Sequence, residues 1–299
     1  MKLSLRNLWK QQPVKLLIKI LVSALALWLV YQRVHVHKVL TQIVKTPAGC
    51  TLLALGLFNL SQIVSAARLQ LFLRQENIQI PFAENLKLYY QGMYYNLLLP
   101  GGIGGDGYKV YRFKTALNIP VKKSVRALLA DRINGATALM ALAGILALFV
   151  PLQFRIYMKI WIALGIILLL FLAALTLIEF FTCYIPVWWH SLLYSFIVQC
   201  LQIAAAMALL IGLKVPLNEQ VVYLLVFMAG SLASVIPVTI GGLGARELIF
   251  LFSAKYFALN PESAVTLSAL FFALTVVSAL PGAFLRANIT AEQNIGVLT

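Results

Sequence analysis

The chain has 299 residues, 62% of them hydrophobic and 11% charged, and a formal net charge of +15. A water-soluble fold could not cover so much apolar side chain with so little polar surface, and several nearly uncharged stretches are long enough for about 30 Å of hydrocarbon. The basic residues lie between the apolar runs and at the N-terminus, as the positive-inside bias requires, and no nucleic-acid-binding module accompanies them, so nucleic acid is excluded as a partner.

The sequence starts with a basic region, Lys2, Arg6, Lys10 and Lys15, that leads into an apolar run without an A-x-A cleavage site. This predicts an uncleaved first span rather than a signal peptide. Six full spans are predicted, at about 14–31, 48–72, 122–150, 156–180, 187–211 and 263–286. Two further apolar segments, about 85–117 and 218–258, are interrupted by glycine-rich centres. The whole, 1–299, reads as one all-α polytopic membrane domain. Arg68, near the end of the second span, reads as a residue snorkelling to the interface.

The first interrupted segment reads "LPGGIGGDGYKVYRFK" from Leu99 to Lys114. Lys109, Arg112, Lys114, Lys122, Lys123 and Arg126 follow the break and match the basic N-terminus, which places both regions on the cytoplasmic side. The two spans 14–31 and 48–72 between them have the right parity. The second half of the segment is too charged to cross lipid, so the segment is expected to enter from the cytoplasm and return to it. Tyr89, Tyr90, Tyr94 and Tyr95, which lead to the break, read as an interface belt in preference to a cavity wall.

Asp131 and Arg132 sit about ten residues into the next span. Adjacent helical residues point about 100° apart, so they need not pair with each other. Arg132 could snorkel. Asp131 is too short to do so and needs a partner, with Arg126 or a residue of the first hairpin the nearest choices. Cys50, Cys183 and Cys200 have no metal spacing and read as packing residues. Trp188, Trp189 and His190 read as belt.

A second copy of the interruption follows at Pro237, where "PVTIGGLGAR" repeats "PGGIGGDGYK" at Pro100. Both fit P-x-x-I-G-G-x-G-x-[KR]: Gly104, Gly105 and Gly107 match Gly241, Gly242 and Gly244, and Lys109 matches Arg246. Three spans separate the copies, an odd number, so two re-entrant hairpins would enter from opposite faces. That is the pattern of an inverted-topology repeat, whose broken helices form a site near the midplane. The expected repeats cover about 48–150, with motif 96–112, and about 187–286, with motif 233–247.

Backbone polar groups are tolerated at such depth only where protein or water covers them. Past each break a half-helix starts with unpaired N–H groups and the positive end of its dipole, which suits an anion. Lys109, Arg112 and Arg246 would add full charge, and a phosphate fits. Asp106 reads equally as an N-cap or as a proton- or cation-binding acid, and Glu247 as a site acid. Gly102, Gly104 and Gly107 form G-x-G-x-x-G, but no strand or βαβ unit precedes them, so a dinucleotide site is discounted. No P-loop, metal-ligand cluster or Ser-His-Asp set is visible, and no cofactor, metal or catalytic residue is expected.

"NLLLPGGIGGDGYKVYR", "LLADRINGATALMAL" and "SVIPVTIGGLGAREL" together resemble the lysylphosphatidylglycerol synthase transmembrane-region family, also called flippase-like, over nearly the whole chain. On that resemblance the family pattern falls on Asn96, Pro100, Gly104, Gly105, Asp106 and Arg112, on Asp131 and Arg132, and on Pro237, Gly241, Gly242, Gly244, Arg246 and Glu247. It implies a bacterial cytoplasmic (inner) membrane protein with cytoplasmic termini and two inverted re-entrant repeats. In fused relatives this region is thought to move a modified phospholipid between leaflets; with the basic residues at the breaks, the lipid expected here carries an anionic headgroup, with a homo-oligomer or a lipid-modifying enzyme as the candidate partner. The soluble domain that attaches lysine in fused relatives is not found here, so aminoacyl transfer is not expected. Two alternatives stay open: a membrane-embedded transferase acting on a lipid-linked substrate, and an accessory subunit of a glycolipid or glycosyltransferase pathway.

Overall fold

A computed structural model describes residues 34–98, 104–150, 182–235 and 245–289, and the single position 165. These contain nine α-helices and no strand. The helices are α1 (Val36–Lys45), α2 (Ala48–Gln75), α3 (Phe82–Leu98), α4 (Gly104–Leu117), α5 (Val121–Leu148), α6 (Ile185–Gly212), α7 (Leu217–Val235), α8 (Ala245–Tyr256) and α9 (Pro261–Ala279). Short 3-10 turns precede α6 at Thr182–Tyr184 and follow α9 at Leu280–Ala283.

Four helices, α2, α5, α6 and α9 with its 3-10 extension, are long and apolar enough to cross a membrane. They fall where spans are expected at 48–72, 122–150, 187–211 and 263–286. The expected spans 14–31 and 156–180 lie outside the described residues. At 1.5 Å per residue, a helix of 28 residues such as α2 is about 42 Å long, more than the hydrocarbon core needs.

Helix boundaries follow local chemistry. Pro47 and Pro120 immediately precede α2 and α5, and Pro261 opens α9. Proline lacks the N–H that a first helical position cannot use, and its φ is already helical. Asn260 caps α9 by accepting a bond of 2.9 Å from the Ser263 N–H. Four helices stop at a residue in the left-handed region: α2 at Asn77 (φ 58°), α4 at Asn118 (φ 54°), α6 at Lys214 (φ 56°) and α8 at Ala258 (φ 54°). In each case the next N–H reaches back to close the last turn: Ile78 to Leu73, Ile119 to Phe113, Val215 to Leu210 and Leu259 to Ala254. Each closing residue is apolar, as this termination favours.

The contacts order the spans. α2 and α6 lie side by side and antiparallel. Tyr184, just before α6, sets its ring 5.5 Å from that of Phe72 and donates a hydrogen bond of 2.6 Å to Glu76. Burial and the bond to Glu76 hold the Tyr184 phenol above its usual pKa range. At the other end, Gly212 of α6 faces Thr46, Pro47 and Cys50. α5 starts near the Tyr184 end, where Arg126 meets Glu76 at 3.4 Å, and Ala147 near its other end belongs to the same apolar cluster as Ala54, Leu209 and Leu210. α9 starts near α1, with Thr266 donating to Gln42 at 2.8 Å and Lys38 donating to Glu262 at 3.4 Å.

Two apolar clusters join the ends of the helix pairs. One contains Ile78 and Ile80, before α3, and Phe113 near the end of α4, with Leu117 and Ile119 packed against it. The other contains Val215, before α7, and Ala254 and Leu259, at and beyond the end of α8.

After α9 the chain becomes an extended strap over residues 285–289. Its side chains alternate: Ala287 and Ile289 are buried in the first cluster, while Arg286 and Asn288 face outward. The α3–α4 pair grips the strap by its backbone. Gln91 donates to the Leu285 carbonyl at 2.6 Å, Arg112 to the Ala287 carbonyl at 2.5 Å, and Glu84 accepts from the Asn288 N–H at 2.6 Å. Gly282, at the root of the strap, lies against the Tyr90 backbone, and a Cβ there would collide with the Tyr90 carbonyl oxygen.

A Cβ built at Gly212 would lie 3.1 Å from the Cys50 Cβ. Disulfides span Cβ separations of about 3.5–4.5 Å, so a small outward shift is enough. We expect Gly212→Cys, with Cys183 and Cys200 changed to Ser, to form a disulfide with Cys50 on mild oxidation. A maleimide-PEG gel shift should show both thiols protected and dithiothreitol should restore labelling. Two thiols that stay reactive after oxidation would contradict the antiparallel pairing of α2 and α6.

Candidate functional site

The start of α4 lies where the sequence places the first break, and two glycines and an asparagine shape it. Gly105 packs on Gly92 of α3 so closely that any Cβ at 105 would collide with the Gly92 carbonyl. Asn96, at the end of α3, reaches over the break and accepts from the Gly105 N–H at 2.8 Å. Asn96 therefore serves as the cap of α4, satisfying one N–H that a helix start leaves open. Gly104 is the first residue of α4.

Asp106 does not fill the cap position. Its carboxylate accepts from the Arg132 Nε of α5 and lies 3.7 Å from Lys109 Nζ, one turn on. Lys109 is 6% exposed, and its ammonium also sits 4.3 Å from the centre of the Tyr89 ring. A carboxylate and an aromatic face thus share one buried cation. Arg132 points into the protein toward α4, so the snorkelling expected of it gives way to an ion pair.

Asp131, on the adjacent side of α5, is 8% exposed and is held by Arg68 of α2. Arg68 Nε donates to one carboxylate oxygen at 2.7 Å and Nη2 to the other at 3.0 Å. Arg68 Nη1 donates to Ser195 of α6 at 2.8 Å, and Ser195 donates to Asn134 at 2.5 Å. Two expectations change here. Arg68 is 6% exposed and buried in the bundle rather than reaching the interface. Neither Arg126 nor the first hairpin supplies the main partner of Asp131. Arg126 instead meets Glu76 and donates to Cys183 Sγ at 3.2 Å. Gly135 makes room for Arg68, since a Cβ at 135 would lie 2.9 Å from its Nη1.

The tyrosines before the break also pack inward. Tyr90 donates to Asn59 at 2.9 Å and Tyr95 stacks on Tyr108 with ring centres 4.1 Å apart. Trp189, 75% exposed, and His190 face outward as belt residues do. Arg112 lies one turn beyond Lys109 and donates to the strap.

In the second copy, Gly241, Gly242 and Gly244 lie outside the described residues. Arg246 stands in the first turn of α8, with its guanidinium carbon 5.2 Å from the Phe227 ring centre and 4.9 Å from that of Phe271. Glu247, 6% exposed, accepts from Ser268 of α9 at 3.0 Å. The structure thus gathers Asn96, Gly105, Asp106, Lys109, Asp131 and Arg132 at one locus and sets Arg246 and Glu247 among α7, α8 and α9. Arg68, Tyr89, Gly92 and Ser195 also belong to the first locus: the sequence sends Arg68 and Tyr89 to the interface instead and does not mark Gly92 or Ser195. Their partners lie far away along the chain, 63 positions for Arg68 and Asp131. The one local signal was an arginine in an apolar run with no acid in reach.

The family model for the lysylphosphatidylglycerol synthase TM region matches residues 16–282. The chain belongs to that family. With its long apolar helices, this makes the lysylphosphatidylglycerol synthase TM-region chain a multi-pass membrane protein with a function connected to membrane lipid. No curated protein matches it.

Removing one partner of a buried ion pair leaves the other charge uncompensated and costs about 3–5 kcal/mol, whereas replacing both by apolar residues is often neutral. We expect Arg68→Ala and Asp131→Ala each to lower the thermal midpoint in detergent by several degrees, and Arg68→Met with Asp131→Leu to recover most of the loss. Additive losses in the double variant would show that the two side chains do not act as a pair.

Proposed function

We propose that this family member is a lipid translocase of the bacterial cytoplasmic membrane, and that its two helix–break–helix units are re-entrant hairpins related as an inverted repeat. The supporting observation is topological. α2 ends and α5 begins at the Tyr184 end of the bundle, so the α3–α4 unit opens toward that end. α6 ends and α9 begins at the Gly212 end, so the α7–α8 unit opens toward the other. The chain also leaves α5 at one end and resumes at Thr182 at the other, which agrees with the odd number of crossings between the two copies.

The helix ends support a duplication independently of the glycine motif. A span ends in a left-handed residue, an apolar residue and a proline within the next few positions, and then come two short helices around a break. This occurs at Asn77, Ile78 and Pro81, and again at Lys214, Val215 and Pro216. The second short helix then ends in the same way, at Asn118, Ile119 and Pro120, and at Ala258, Leu259 and Pro261. In this reading, repeat one is about 48–150 and repeat two about 187–286.

Buried charge at the break marks a pathway more readily than a packing seam, because ionisable groups at membrane depth are costly to keep. Asp106, Lys109, Asp131 and Arg132, with Asn96, Gly104 and Gly105, form the first half of the proposed lipid-headgroup site, and Arg112 flanks it. Arg246 and Glu247, with Gly241, Gly242 and Gly244, form the second. An anionic headgroup would travel between them while the acyl chains stay in lipid. The Tyr184 end is the cytoplasmic one in this proposal, which places the basic stretch from Lys109 to Arg126 inside.

A dithionite-quenching assay with fluorescent phosphatidylglycerol in proteoliposomes should show leaflet exchange that rises with protein content. Arg132→Ala should cut that rate about tenfold or more. No protein-dependent exchange of any of several anionic lipids would refute the translocase. For sidedness, Cys183 is exposed at the Tyr184 end. With Cys50 and Cys200 changed to Ser, an impermeant maleimide should label Cys183 only after cells are opened; labelling of intact cells would reverse the orientation.

A further inference from the structure

Arg68 and Arg246 are both arginines set into the helix bundle, yet they are treated in opposite ways. In Arg68 the Nε and Nη2 atoms, which share one edge of the planar guanidinium, grip both oxygens of Asp131. In Arg246 the same two atoms are sealed from solvent and, among the described residues, have no hydrogen-bond partner. Among the described residues no carboxylate lies within ion-pair distance of Arg246, and Glu247 Oε1 accepts from Ser268. A buried unsatisfied donor costs folding free energy, and more when it is charged. Such a group in a folded protein calls for a partner.

The rest of the Arg246 side chain is held in place. Its guanidinium carbon has the rings of Phe227 and Phe271 within 5.2 Å and 4.9 Å of ring centre to carbon. A Cβ at Gly230 would come within 3.2 Å of Arg246 Cγ and 3.3 Å of Phe250, so glycine on α7 leaves the side chain room to pack there. What the packing leaves unanswered is the edge that carries Nε and Nη2, at the positive end of the α8 dipole. That edge matches two oxygens of one tetrahedral or planar anion, a geometry that a lysine ammonium cannot reproduce.

We propose that Arg246 holds the two non-bridging oxygens of a phosphate through Nε and Nη2, beside Phe227 and Phe271, and is the principal anion seat of the protein. Lys109 and Arg132 are answered by Asp106, and Arg68 by Asp131, so each cation of the first locus has an acid beside it while the second locus holds an unpartnered fork. The choice of phosphate over carboxylate rests on the translocase reading; the unpartnered fork does not. The phosphate can belong to a lipid headgroup or arrive as the free ion.

The test uses the purified full chain in detergent, titrated with short-chain phosphatidylglycerol in one arm and inorganic phosphate in the other. Binding is followed by calorimetry and by the thermal midpoint. Wild type should bind at least one probe and gain several degrees, with the lipid arm alone identifying a headgroup and the phosphate arm alone a soluble anion. Arg246→Lys, which keeps the charge, should bind at least tenfold more weakly, and Arg246→Met should show no ligand-induced gain. Because the fork is unsatisfied without ligand, ligand-free Arg246→Met should melt at or above the wild-type midpoint. The exposed Lys45→Gln should bind as wild type does. Wild-type binding that Arg246→Lys leaves unchanged, failure of wild type to bind either probe, or a ligand-free Arg246→Met midpoint several degrees below wild type would each overturn the assignment. Arginine-dependent binding without any protein-dependent leaflet exchange would leave the seat standing and remove the translocase.

Discussion

The bidentate pair between Arg68 and Asp131 is the constraint on which the bundle is organised. A carboxylate placed mid-helix in an apolar environment cannot reach water and cannot stay charged alone. Its requirement for a guanidinium draws α2 against α5, and the spare nitrogen of that guanidinium draws in α6 through Ser195 and Asn134. Three spans that have little else to distinguish one packing from another are thereby given a register. Lipid tails are as apolar as leucine, so dispersion alone would hold these helices together without specifying how.

Asp131 and Arg132 are neighbours in sequence and work in different directions. The first faces α2 and the second faces α4, because successive helical residues diverge by about 100°. The short α3–α4 unit could hardly anchor itself by hydrophobic burial against lipid. Its tip is fixed by Asp106 and Arg132, its interior by the contact of Gly92 with Gly105, and its outer edge by the strap after α9. Polar contacts at the tip, a glycine seam in the middle and a backbone clamp at the edge each suit the space that the elements leave.

Much of the fold could be read in the sequence, because the signals involved are local. Hydropathy marked α2, α5, α6 and α9 to within a few residues, and the glycine runs marked where α3 gives way to α4. The site was legible only in part. Asp106, Lys109, Asp131 and Arg132 stood out as charges in apolar surroundings, and they do converge. Their pairings were not visible, because an ion pair between α2 and α5 joins residues with no shared pattern. Arg68 departs from its sequence expectation for that reason: an arginine near the end of a span looks the same whether it extends to the interface or turns inward. Asp106 reads equally as cap and as site acid, and the structure gives the cap position to Asn96, from across the break, and pairs Asp106 with Arg132. The tyrosine run looked like a belt because aromatic spacing carries no direction. Only the fold shows that Tyr89 faces Lys109.

The opposed bonding of Asp131 and Arg132 has a mechanical consequence. α5 is keyed on two flanks, so it cannot rotate or slide by a turn without breaking a charged contact on one side or the other. Breaking such a contact costs several kcal/mol in this setting, whereas sliding at an apolar seam such as that of Gly212 with Thr46 and Cys50 costs far less. The half of the molecule built around α5 therefore behaves as a single stiff block, and its compliance is concentrated in the smooth joints at the block's perimeter.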